Sequence, residues 1–243
     1  MIVDAPFPGN NWPTLGHHER RVLGVLVEKA KTTPDSYPLT LNALVTGCNQ
    51  KSNRDPVTNL GEVEVEDAMD QLKKLGLTQK ITGSGRTDKY RHILYDTLKV
   101  NKLELAILAE LLLRGPQTEG ELRTRASRME PIDDLDSLRA ILRGLAQRNL
   151  VVYLTPEGRR GTTVTHGFHP PAELDRLRSR AEQDFTEERP AAAPASSPTV
   201  QAPIQDDRLE RLDERLRQME TALAAVQQEL QMLHTKLAPL LES

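Results

Sequence analysis

The sequence predicts a mainly α-helical protein with small β-hairpin wings, one helix-and-hairpin unit used twice, then a linker and a coiled coil. Three observations predict it. Between His17 and Tyr95 three segments of helical apolar spacing are followed by two strand-like runs around Gly83-Ser84-Gly85. The same spacing then recurs: Leu23, Pro38, Thr40, Leu44, Val65, Met69, Leu72 and Leu77 match Leu105, Pro116, Thr118, Leu122, Leu138, Leu142, Leu145 and Leu150. Finally, apolar residues from Leu209 to Leu240 alternate in steps of three and four without a break.

The first helix is expected over His17 to Lys31. Val22, Leu23, Val25, Leu26 and Val27 make its apolar stripe, and Glu19, Arg20, Arg21, Glu28 and Lys29 are placed towards solvent. The second begins at Thr40, whose hydroxyl can accept from a backbone N–H left unpaired in the first turn. Leu39 and Leu44 flank it as a hydrophobic staple, and Gly47 is expected to end it. Asn49, Gln50, Lys51, Ser52, Asn53 and Arg54 follow, closed by Asp55-Pro56. Six polar residues in a row have no core to fill, so this loop is either a solvated turn or holds a partner, and a working surface is expected. Changing Lys51 and Arg54 to Ala should then leave stability nearly unchanged. Val65, Ala68, Met69, Leu72 and Leu75 carry the third helix, stopped at Gly76. Its outer face holds Glu62, Glu66, Asp67 and Asp70. The strands of LTQKITGSGRTDKYRHILY close the unit and carry Arg86 and Lys89. Helix, helix, helix, hairpin is the order of a winged helix.

The stretch EKAKTTPDSYPLTLNALVTGCNQKSNRDP, Glu28 to Pro56, closely resembles the YceH family of uncharacterised bacterial proteins, and the likeness extends from about His18 to about Phe168. The resemblance implies two successive winged-helix domains and names no reaction.

In the second copy Thr118 and Glu121 form a capping box. Where the first copy has an acidic third helix, this one carries Arg139 and Arg143 one turn apart, with Arg159 and Arg160 at the tip of its hairpin. A polar helix follows Pro171. ERPAAAPASSPTVQAP, Glu188 to Pro203, lacks the bulky apolar residues a fold needs and is expected to be disordered. In a parallel dimer the final heptads would pair Arg208 with Asp213, Arg215 with Glu220 and Glu229 with His234, so the tail is expected to self-associate. The expected layout is therefore winged-helix domains at 15–98 and 99–170, a polar helix at 171–187, a disordered linker at 188–205 and a coiled coil at 206–241.

Composition narrows function. Residues 1–98 carry 12 basic and 12 acidic residues, 99–182 carry 14 and 12, and 183–243 carry 6 and 11, so no part grips polyanions strongly without specific geometry. One cysteine, Cys48, excludes an internal disulfide and disfavours a thiolate zinc site. No apolar run approaches the roughly 20 residues that span a bilayer, and MIVDAPFPGNNWPTL lacks the basic and apolar regions of a signal peptide, so a cytoplasmic protein without a membrane partner is expected. Gly83-Ser84-Gly85-Arg86 has neither the length nor the helix context of a phosphate loop. No Ser or Cys sits at a known spacing from a base. The chain reads as a non-enzyme without a cofactor or metal. Two roles fit: a protein that binds double-stranded DNA, in transcription regulation, or a scaffold that docks another protein and dimerises through its coil. The residues expected to meet DNA or a partner are Asn49, Gln50, Lys51, Ser52, Asn53, Arg54, Arg86, Lys89, Arg139, Arg143, Arg159 and Arg160.

Overall fold

The computed structural model describes residues 12–82 and 87–187. The expected linker, coiled coil and Arg86 lie outside the described residues. The described chain is mainly helical with small antiparallel β pairings. Its first half runs α1 (His17–Thr32), a single 3-10 turn (Pro34–Ser36), α2 (Leu41–Cys48), α3 (Glu62–Lys74), β1 (Thr78–Ile81), β2 (Lys89–His92) and α4 (Leu94–Leu98). Its second half runs α5 (Lys102–Arg114), β3 (Gln117–Thr118), α6 (Glu119–Ala126), α7 (Leu135–Gln147), β4 (Val151–Tyr153) and β5 (Thr163–His166), followed by α8 (Pro171–Glu187).

The two halves share a pairing pattern as well as an element order. β1 pairs with β2, Thr78 opposite His92, and Leu39, just before α2, bridges to Tyr90 on β2. In the second half β3, just before α6, pairs with β5, and β4 covers the other side of β5 in the order β3-β5-β4. The stretch entering the second helix thus joins the last strand in both.

Side-chain chemistry sets the helix ends. The Thr40 hydroxyl accepts from Ala43 N at 3.3 Å, and Thr118 with Glu121 closes a capping box at α6. Asn101 and Glu104 do the same at α5, where Asn101 Oδ1 accepts from Glu104 N at 2.9 Å. Gly76 takes φ 66 after α3, a conformation that glycine adopts without a Cβ penalty.

Three sequence expectations need correction, and one strand was not expected. Gly47 lies inside α2, which ends one residue later with Asn49 as its cap. A Cβ at Gly47 would stand 2.7 Å from Val25 Cγ1, so the glycine serves the close approach of α2 to α1, not the end of the helix. The second strand stops at His92, and Leu94–Leu98 is a short helix burying Leu94 and Leu98, one turn apart. β3 is a two-residue strand too short to show a period. Arg20, Arg21 and Glu28, placed towards solvent by the apolar stripe, are each at most 4% exposed.

That last correction follows from the central packing. α1 and α5 lie against each other and are buried nearly all round, from Arg20 to Glu28 and from Leu105 to Leu113. The approach is tightest at Gly24, where a Cβ would meet Leu113 Cγ at 2.8 Å and Leu112 Cβ at 3.3 Å. We expect Gly24→Ala to lower stability by about 1–2 kcal/mol through overpacking, although Ala is the better helix former. Gly144→Ala on α7, where a Cβ meets nothing within 4 Å, should instead be neutral or stabilise by up to about 1 kcal/mol. Urea denaturation of the two variants checks the pair; equal signs would contradict the packing.

Candidate nucleic-acid interface

α7 is positioned by its inner face. Asp134 caps it, accepting from Ser137 N at 2.7 Å, and Leu138, Leu142 and Leu145 are fully buried. Arg139 and Arg143 are left on the other side, and both are paired. Arg139 Nε donates to Glu119 Oε2 at 2.8 Å, with Asp136 Oδ1 3.3 Å from Nη1. Arg143 Nε donates to Glu157 Oε1. Glu157 lies in the β4–β5 turn, so this bond sets the turn beside α7. Hydrogen bonds donated by Arg143 to Glu157 and by Arg139 to Glu119 hold the pKa values of both guanidiniums above the ordinary arginine value.

The turn itself is ordered by threonines. The Thr162 hydroxyl donates to the Arg159 carbonyl at 2.8 Å and accepts from Arg159 N at 3.2 Å, and Thr163 N donates to the Thr155 hydroxyl at 2.8 Å. Arg159 and Arg160 project from it, exposed and without an ion pair among the described residues. The structure therefore brings Arg139, Arg143, Arg159 and Arg160 onto neighbouring elements of the second half.

The 49–54 loop is different. Asn49 exchanges two 2.7 Å hydrogen bonds with the backbone of Leu60. Gln50 Oε1 accepts from Arg54 Nη2 at 2.9 Å, and Asn53 Oδ1 accepts from Arg114 Nη2 at 3.0 Å. Arg54 is 4% exposed and donates to both carboxylate oxygens of Glu28 and, through Nε, to the Gly47 carbonyl at 3.0 Å. Asn49, Gln50 and Asn53 each make hydrogen bonds within the protein, and the reading of a loop with no core to fill is corrected for the buried Arg54. Lys51 and Ser52 are exposed. Lys89 is exposed on β2.

Glu28 anchors a network that periodicity does not reveal. Arg128 donates to Glu28 Oε1 and, at 3.0 Å, to Glu110 Oε2. Arg114 Nε lies 2.9 Å from Glu110 Oε1 without hydrogen-bond alignment. Glu28 and Glu110 occupy equivalent positions of the repeat, in LVEK and LAEL, and Arg128 joins them across the two halves. Burial alone would raise the Glu28 pKa; hydrogen bonds and charge from Arg54 and Arg128 outweigh it and hold it below the ordinary carboxylate range. The signal in the sequence was a lone acid at the same place in two apolar helices. Cys48 is buried, and burial pushes its thiol up to about 12, so it is no nucleophile.

A second buried cluster ties α8 to α1. Arg20 makes a two-pronged bond to Glu173, 3.0 Å on each oxygen, and its Nη1 also touches His169 Nδ1. His169 Nε2 meets the Thr165 hydroxyl at 2.9 Å, and its ring stacks on His166 at 3.9 Å between centroids. Burial, helped by Arg20, lowers the His169 pKa to about 4; burial and His169 lower that of His166 well below the ordinary value. Among the described residues no group of three His, Cys, Asp or Glu could hold a metal, and no helix is long and apolar enough to cross a membrane.

Comparison with known proteins gives a family match. The model of a family described as a protein of unknown function, DUF480, matches residues 15–160. A UPF0502 protein of Rhodopirellula baltica is 48% identical over 80% of this chain and 82% of its own length. UPF0502 proteins of Geobacter sulfurreducens and Pelobacter propionicus are 54% and 43% identical, over 61% and 86% of this chain and 69% and 92% of theirs.

Proposed function

This chain belongs to the DUF480 family of proteins of unknown function, and we propose that it is a non-enzymatic tandem winged-helix protein of the cytoplasm, of YceH type, whose second half binds double-stranded DNA. The observation that carries the reading is the bond from Arg143 on α7 to Glu157 in the β4–β5 turn. It supports one continuous arginine track, in which α7 enters a groove and the wing arginines meet phosphates. The equivalent face of α3 carries exposed Glu62, Glu66, Asp67 and Asp70, which would repel a phosphate backbone. The first half is thus assigned away from the DNA.

A second reading draws on that acidic face. In it the chain is a scaffold: α3 meets a basic partner, and heptads from Leu209 to Leu240 join two copies. The two readings part on DNA binding. Arg159→Ala/Arg160→Ala should weaken binding to any duplex and flatten the salt dependence by about 0.9 units for each phosphate the wing no longer neutralises, close to two in all. Fluorescence anisotropy with a mixed-sequence duplex of about three helical turns measures it between low and moderate salt. If the wild type binds and the double variant matches its affinity and slope, the wing does not touch the duplex. If the wild type does not bind at the lowest salt, the scaffold reading replaces this one.

A further inference from the structure

We propose that Glu119 and Glu157 stand in for two backbone phosphates, holding Arg139 and Arg143 oriented on α7, and that a duplex engages this face by displacing them. The inference rests on the reading of the second half as the DNA-binding part.

The geometry is that of an occupied anion site. A carboxylate and a phosphate present similar acceptor oxygens to a guanidinium, so each arginine already makes the kind of charge-assisted bond it would make to DNA. Glu119 is fixed from two sides. It opens α6, its backbone N–H donates to the Thr162 carbonyl at 3.0 Å, and its Oε2 takes the Arg139 bond. Its other oxygen, Oε1, is buried and unpaired among the described residues, and so is the hydroxyl of Tyr153 on β4. Burial, reinforced by Glu157 and Glu119, pushes the Tyr153 pKa up to about 12, so the hydroxyl keeps its proton as a spare donor within the field of both pairs. Glu157 is held more loosely; its side chain is 39% exposed and that of Arg143 59%.

Pairing changes how the face meets a polyanion. Four arginines, Arg139, Arg143, Arg159 and Arg160, stand against Asp136, Glu119 and Glu157, so the face as a whole has little long-range pull. Meeting a phosphate then becomes an exchange: the arginine changes partner, and at Arg143 the freed Glu157 carboxylate, 39% exposed where that of Glu119 is 4%, gathers cations from solution. The cation uptake offsets part of the counterion release that normally drives binding, so the salt dependence under-reports the arginines engaged. Such a face discriminates against polyanions that cannot place an oxygen at both positions.

The test compares Glu157→Gln with Asp35→Asn. Both remove one exposed negative charge, and Asp35 has no ion pair among the described residues. Glu157→Gln keeps the side-chain shape at an exposed position and so leaves the fold intact. It should bind a mixed-sequence duplex about tenfold more tightly at low salt, with a slope steeper by about one unit, the value of one more neutralised phosphate. Asp35→Asn should change affinity less than twofold and leave the slope alone. Glu119→Gln, with folding checked by circular dichroism, should repeat the gain at Arg139. Equal shifts for Glu157→Gln and Asp35→Asn, or an unchanged slope, overturn the inference while the DNA reading stands. No binding by the wild type or any variant at the lowest salt overturns both.

Discussion

Glu28→Ala should destabilise the folded chain by about 3–5 kcal/mol, the usual cost of removing one partner from a buried charge network. Two guanidiniums are left behind. Arg54 has a fully buried side chain and only backbone carbonyls and Gln50 remain to it; Arg128 keeps Glu110. Arg21, also 4% exposed, already lies near Arg54 with carbonyl partners alone, and burial followed by that like charge lowers its pKa. Losing the Glu28 carboxylate therefore leaves like charges facing each other in a medium that screens them weakly. Arg54→Ala should cost a comparable amount and Lys51→Ala almost nothing, reversing for Arg54 what its polar neighbourhood in the sequence predicts. Urea midpoints at neutral pH measure all three. A loss below about 1 kcal/mol for Glu28→Ala would mean that water reaches the network.

Acidification should weaken the protein before its carboxylates begin to titrate. His166 and His169 are neutral in the folded state, whereas in the unfolded chain both take up protons near pH 6.5. Protons therefore favour unfolding: the contribution is fully present above about pH 6.5 and is lost as pH falls towards about 4, where His169 ionises in the fold. These two rings, together with His92, whose pKa burial also lowers to about 4, should remove about 5 kcal/mol between pH 6.5 and pH 5. The carboxylates Glu28 and Glu173, held low by their arginines, add their losses only below about pH 4.5. Denaturation midpoints at pH 7.5, 6.5 and 5 resolve the two windows. A midpoint that stays level to pH 5 would require all three rings to be protonated, or solvated, in the native chain.

What the sequence made legible was local. Thr40, Thr118 with Glu121, and Gly76 act within a turn of the residues they serve, so spacing alone finds them. The apolar faces of α3 and α7 were readable because Met69, Leu72, Leu142 and Leu145 recur with the helical period. Arg54 was not, because its partner Glu28 lies 26 residues away and no period connects them. Glu28 itself was assigned to water on the rule that charges lie outside, and that rule fails when a long-range partner is present. At the candidate interface the residues Arg139, Arg143, Arg159 and Arg160 were singled out from repeat position and type. Their pairing was not, since Glu119 and Glu157 come from other elements. The short α4 and β3 are too brief to carry a periodic signal.

Arg128 has a further bearing on how such a chain can change. It neutralises one acid in each copy, α1 and α5 hide each other's apolar sides, and Asp55 N donates to the Leu113 carbonyl at 3.1 Å between the halves. Divided at the α4–α5 connection, Glu28 would keep Arg54 but lose Arg128, Glu110 would keep Arg128 and Arg114, and each part would present a stripe of bare leucine or valine to water. Neither part is then a module that duplication or fusion could transplant alone. The portable element is the pair, because the footing of each half's surface lies partly in the other.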